Sequence, residues 1–104
     1  MGRAVSGPVD DPRLLRMAPT DNVVLARAPI ERGTVLLVSG TEITTATEVP
    51  VGFKLAAEDL AAGTTIFRST VPIGRLTADV RRGELVHVHN LESLYLRTHA
   101  RGES

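Results

Sequence analysis

The chain has no cysteine and no tryptophan. Disulfides, thiolate zinc sites, iron–sulfur ligation by this chain and cysteine nucleophiles are therefore excluded. Only three aromatic residues occur, Phe53, Phe67 and Tyr95, so the core must be built from Val, Ile, Leu and Ala. That scarcity also removes the stacking platforms on which single-stranded nucleic acids are held. Twelve basic residues balance twelve acidic ones, leaving no net charge of either sign. A phosphate-binding face needs a basic excess, so neither nucleic acid nor an anionic membrane surface is an expected partner. No apolar run approaches the ~20 residues that a membrane helix requires. The amino end, Met1 to Pro8, carries no hydrophobic segment of the signal-peptide kind, and the expected location is the cytoplasm.

What is present is a strand-like pattern in a single domain of 104 residues. Residues 1–13 and 97–104 read as flexible tails around a domain spanning 14–96. Val23–Arg27, Thr34–Val38, Glu42–Thr47, Lys54–Ala57, Thr64–Ser69 and Leu85–Asn90 read as strands, and Leu91–Leu96 as either their continuation or a short helix. Pro50-Val51-Gly52 fits a type II turn with a positive φ at the glycine. A corner recurs at Pro29-Ile30-Glu31-Arg32-Gly33, Asp59-Leu60-Ala61-Ala62-Gly63 and Asp79-Val80-Arg81-Arg82-Gly83. The pattern predicts a single helical turn, opened by Asp or Pro and closed by a left-handed glycine. Corners of this kind between short strands predict an all-β fold whose strands bend sharply.

Chemistry concentrates at Gly83-Glu84-Leu85-Val86-His87-Val88-His89-Asn90. On a strand, His87 and His89 would share one face about 7 Å apart, with Val86 and Val88 turned to the core. Two such imidazoles can ligate iron, zinc or manganese, though two protein ligands leave a metal site incomplete. Alternatively, one of them can act as a general acid. Lys54 and Arg75 are candidate partners for a substrate carboxylate or sulfonate, and Asn90 for a substrate hydroxyl. The plainer readings are solvated histidines, an exposed lysine and arginine, and an asparagine that satisfies a turn. Asp59 and Asp79 fit corner caps better than chemistry. Glu84, on strand alternation, points away from the histidines. No nucleophile–base pair, carboxylate dyad or phosphate-cradling loop is legible.

The ordered set Asp21-Asn22-Val23, Pro50-Val51-Gly52-Phe53-Lys54, Asp59 to Gly63, Pro72-Ile73-Gly74-Arg75, Asp79-Val80 and Gly83 to Asn90 resembles the SAF domain of the altronate and galactarate dehydratases. It is also similar to the small subunit of sulfolactate sulfo-lyase. The resemblance implies a β-clip fold. It implies the small subunit of a carbon–oxygen lyase that dehydrates a sugar acid or related hydroxy acid, or one that eliminates sulfite. It also implies a separate large subunit and a divalent metal, iron or manganese, held mainly by that subunit. A non-catalytic binding or scaffolding module, with or without self-association, is the contrasting reading. Where the family commonly shows Gly-His-Lys, this chain has Gly52-Phe53-Lys54, and a further family histidine corresponds to Leu85.

Overall fold

A computed structural model describes residues 9–93. Nine short strands follow in order: β1 (Leu14–Leu15), β2 (Val23–Ala26), β3 (Val35–Val38), β4 (Thr41–Thr44), β5 (Lys54–Ala56), β6 (Thr65–Arg68), β7 (Val71–Leu76), β8 (Leu85–Val86) and β9 (Leu91–Ser93). They form three antiparallel sheets: a central one in the order β1-β2-β5-β8, the hairpin β3-β4, and β6-β7-β9. The fold is all-β, and no helix occurs among the described residues. The expected tail at 1–13 is described only from Val9 onward, where it is tied down: Asp11 N–H donates to the Leu37 carbonyl, and Gly40 N–H to that of Val9. The tail at 97–104, the residues beyond Ser93, Tyr95 and His99 all lie outside the described residues.

The recurring corners are real, but they are not helical turns. At the second and third, the Thr64 and Glu84 N–H groups reach back to the carbonyls of Ala61 and Arg81, closing four-residue β-turns. Gly33, Gly63 and Gly83 take the expected positive φ of 83°, 91° and 86°. Gly52 does the same at 86° in the Pro50 turn, where Phe53 N–H donates to the Pro50 carbonyl at 3.1 Å. The two aspartates cap each other's corners and not their own. Asp59 accepts from Arg82 N–H and Asp79 from Ala62 N–H, both at 2.8 Å, beside the bridge of Leu60 to Val80. A single helical turn is thereby unnecessary at these two corners: the free donor of each is met by the other.

The bonds reveal an internal repeat at a spacing of thirty to thirty-one residues. Gly33 N–H donates to the Thr45 carbonyl, and Gly63 N–H to that of Leu76. Gly52 N–H donates to the Ala26 carbonyl, and Gly83 N–H to that of Ala56. Each half folds around its own aliphatic cluster. Val24, Ile30, Leu36, Val38, Val49 and Leu55 make the first; Val23, Ala56, Ile66, Leu76, Val80 and Val86 make the second. The central sheet separates the two, because alternate residues of β5 face opposite sides: Leu55 the first cluster, Ala56 the second.

Three strands were not expected from the sequence: β1, which pairs with β2, and β7 and β9. β7 contains Pro72, which sits opposite Phe67 where the β6–β7 register shifts. β9 is neither a helix nor a continuation of β8; it pairs back onto β7, with Leu91 opposite Leu76.

Candidate functional site

The histidine strand ends early. β8 stops at Val86, and residues 87–90 form a turn. The cause is Asn90, which is buried at 7% exposure. Its side-chain oxygen accepts the His87 N–H at 2.9 Å, and its amide donates to the Leu85 carbonyl at 2.9 Å. Its own N–H donates to the His87 carbonyl at 3.0 Å, and its carbonyl accepts Thr77 N–H at 2.9 Å. An asparagine satisfied in this way competes with the strand ladder and wins. The partner strand β5 also begins only at Lys54, opposite Val86, so β5 offers nothing for residues beyond 86 to pair with. The expectation of two histidines side by side on a rigid strand is therefore corrected. Val88, expected in the core, is 82% exposed at the tip of the turn.

The two imidazoles have different surroundings. The His87 ring stacks on Phe53, centroid to centroid 4.5 Å, with the planes 23° apart. Phe53 leaves the Gly52 turn and packs on the first cluster, which fixes this platform. His89 is exposed on the far side of the turn and lines a cleft of about 420 Å³. Threonines 44, 45 and 47, Val49, Arg82 and Asn90 are among its other walls.

Lys54 and Arg75 do not join the histidines. Strand alternation turns Lys54 to the side of Ala56 and Val86, opposite Phe53. Half-buried there, its ammonium is held below its ordinary range, first by desolvation and then by the nearby positive charge of Arg68. Arg75 is exposed on β7 between Thr65 and Glu92 and does not line the cleft. Of the five candidates, only His89 and Asn90 share the cleft, with His87 adjoining through Asn90.

Arg82 also lines the cleft, although its place in the sequence does not single it out. Its guanidinium lies 3.3–3.5 Å from the carbonyls of Val38, Ser39 and Ala57, bracing the cleft against the tip of the β3–β4 hairpin. The signal was weak, since the matching residue of the preceding corner is Ala62. Glu84 turns out to accept the Arg81 N–H at 2.7 Å, a local bond within its own turn. No group of three or more His, Asp or Glu side chains converges among the described residues. A divalent metal placed at His87 or His89 would need most of its ligands from elsewhere.

Residues 12–94 match the altronate/galactarate dehydratase SAF domain family. The chain belongs to that family. It is 34% identical over 76 residues to an altronate dehydratase of Escherichia coli, a match covering 73% of this chain and 15% of that protein. It is 47% identical over 45 residues to the (2R)-sulfolactate sulfo-lyase subunit alpha of Chromohalobacter salexigens, covering 43% of this chain and 48% of that one. With the corresponding subunit of Paracoccus pantotrophus it shares 33% over 55 residues, or 53% of this chain and 82% of that subunit. The matched region thus spans about half of the first sulfo-lyase subunit and a small fraction of the dehydratase. No helix of the described residues is long and apolar enough to cross a membrane.

Proposed function

We propose that this SAF domain, on a β-clip scaffold, is the small subunit of a lyase that works with a separate large subunit on a hydroxy acid. The observation that carries the reading is the Asn90-locked turn. Four hydrogen bonds of Asn90 hold the turn that carries two histidines, one stacked and one open to a cleft. A protein spends a buried asparagine and a stacked pair on a surface turn when the turn's shape matters. The family match supports a reaction class of this kind: loss of water from an aldonic or aldaric acid, with loss of sulfite from a sulfonated hydroxy acid as the alternative.

In this reading His89 is the residue that reaches the substrate. An imidazole at this place can hand a proton to a leaving hydroxyl. His87 is a positioning residue, holding the turn against Phe53. The large subunit provides the base that removes the proton alpha to the carboxylate, together with the metal, iron or manganese. Such a metal, held by ligands of that subunit, would supply Lewis acidity for the departing oxygen. Closure of this domain over the acid orients it and excludes water. Lys54 and Arg75 lie off the cleft, so a carboxylate partner is expected from the large subunit. The cytoplasm remains the expected location.

Reconstitution with the large subunit tests this, using altronate, galactarate and sulfolactate as substrates. His89→Ala is expected to lower kcat by about 10²–10⁴-fold. His87→Ala is expected to have a smaller effect, mostly on KM. Unchanged turnover in His89→Ala, with the complex intact, would leave the domain as a non-catalytic module.

A further inference from the structure

The two halves differ along one edge. In the second half, β9 runs along the outer side of β7, with Leu91 opposite Leu76, Glu92 opposite Arg75 and Ser93 opposite Gly74. In the first half β4 holds the equivalent place, and no described strand lies along its outer side. Thr45 N–H points inward to the Thr34 carbonyl, so the alternation of an antiparallel ladder turns the main-chain groups of Glu42 and Thr44 outward. Ala46 corresponds to Thr77, whose N–H is taken by Asn90.

The cleft lies at this edge. Leu91 packs on the cluster that contains Leu76, Val80 and Val86. The residues in those places in the first half are Thr45, Val49 and Leu55, and all three line the cleft. The cleft therefore stands where the second half is filled by an arriving strand.

Natural sheets protect such edges with lysine, proline or a bulge. The run Thr41-Glu42-Ile43-Thr44-Thr45-Ala46-Thr47 has none of these. It also pairs well with itself. About a two-fold axis at Thr44, Thr44 faces Thr44, Ile43 faces Thr45, Glu42 faces Ala46 and Thr41 faces Thr47. No like charges meet, and a threonine pair sits at the centre. The arriving segment would read Ile43-Thr44-Thr45 where the second half has Leu91-Glu92-Ser93: an aliphatic residue, a polar one, then a hydroxyl.

We propose that the outer edge of β4 is a self-association site. It pairs antiparallel with β4 of a second copy about a two-fold axis at Thr44, and so covers the threonine rim of the cleft. The inference stands on the repeat and the open edge, and does not depend on the lyase reading.

Sedimentation equilibrium of the isolated chain tests it over about 10 μM to 1 mM protein. The expected mass rises from one chain to two. Thr44→Pro removes only an outward N–H, leaves the β3 ladder intact and should weaken the dimer at least about tenfold. Thr44→Lys places two ammonium groups across the axis and should do the same without constraining the backbone. A chain that stays monomeric, forms larger oligomers, or dimerises undiminished in both variants overturns the proposal. So does a monomer whose Thr44→Pro variant loses the large subunit, which would assign the edge to that partner.

Discussion

The halves spanning residues 26–55 and 56–86 share one plan and reach it with different side chains. Each hairpin turns through two residues of positive φ: Ser39 and Gly40 at 52° and 81°, Ser69 and Thr70 at 55° and 66°. Glycine takes that conformation freely, while a β-branched residue is strained in it. The first tip is held at Ser39 N–H by Asp10, at 2.9 Å, and Asp10 is shared with Arg16. The second is held by Asp21, buried at 3% exposure. Its carboxylate accepts from Ser69, Thr70 and Ala18 N–H at 2.7, 2.9 and 3.1 Å. The comparison teaches that the strained tip receives the more buried clamp, which holds two amides of the tip where Asp10 holds one.

The largest effect should come from removing that clamp. Asp21→Ala leaves two amides of a strained turn without their acceptor and should cost about 3–4 kcal/mol in urea unfolding. Asp10→Ala should cost about 1–2 kcal/mol, because the glycine tip holds its own shape. Thr70→Gly should stabilise the protein by about 1 kcal/mol and soften the penalty of Asp21→Ala. Equal costs for the two aspartates would break the comparison.

A middle-sized effect separates the paired glycine turns. Gly52 and Gly83 share a φ of 86°. A Cβ at Gly52 meets open space, whereas one at Gly83 lies 2.7 Å from the side chain of Ile43 and 3.0 Å from its Cβ. Gly52→Ala should cost about 1 kcal/mol, the left-handed penalty alone. Gly83→Ala should cost about 2–3 kcal/mol, because Ile43 must also shift. If both cost the same, the second half's turn is not wedged under β4.

How far the sequence announced this structure follows from the range of each interaction. The glycines of the corners and the Pro50 turn are local requirements on φ, so Gly33, Gly52, Gly63 and Gly83 were legible, as were most of the strands. The histidine turn was not. Val-His-Val-His alternates as a strand does, and only the doubly bonded Asn90 side chain bends it. The mutual capping by Asp59 and Asp79, the return of β9 onto β7, and the cleft all depend on residues far apart in the chain. Residue type alone points to His89 and Asn90, and both line the cleft. It could not foresee that Lys54 would face the opposite side of the sheet.

Lys54 gives the smallest and most specific test of the comparison, since it stands in the first half where the second has Leu85. It is a charge in a place the fold otherwise gives to an aliphatic residue. Desolvation, more than Arg68, holds its pKa below the ordinary 10.5. The unfolded chain therefore binds more protons than the folded one between that lowered value and 10.5. Stability should rise with pH through that window and carry a constant penalty below it. Lys54→Met should abolish the rise and be neutral or slightly stabilising at pH 7. Following the Lys54 side chain by NMR, Arg68→Ala should return its pKa only part of the way. A full return would make the neighbouring charge the cause, and Lys54 would then be a surface residue and not a half-buried counterpart of Leu85.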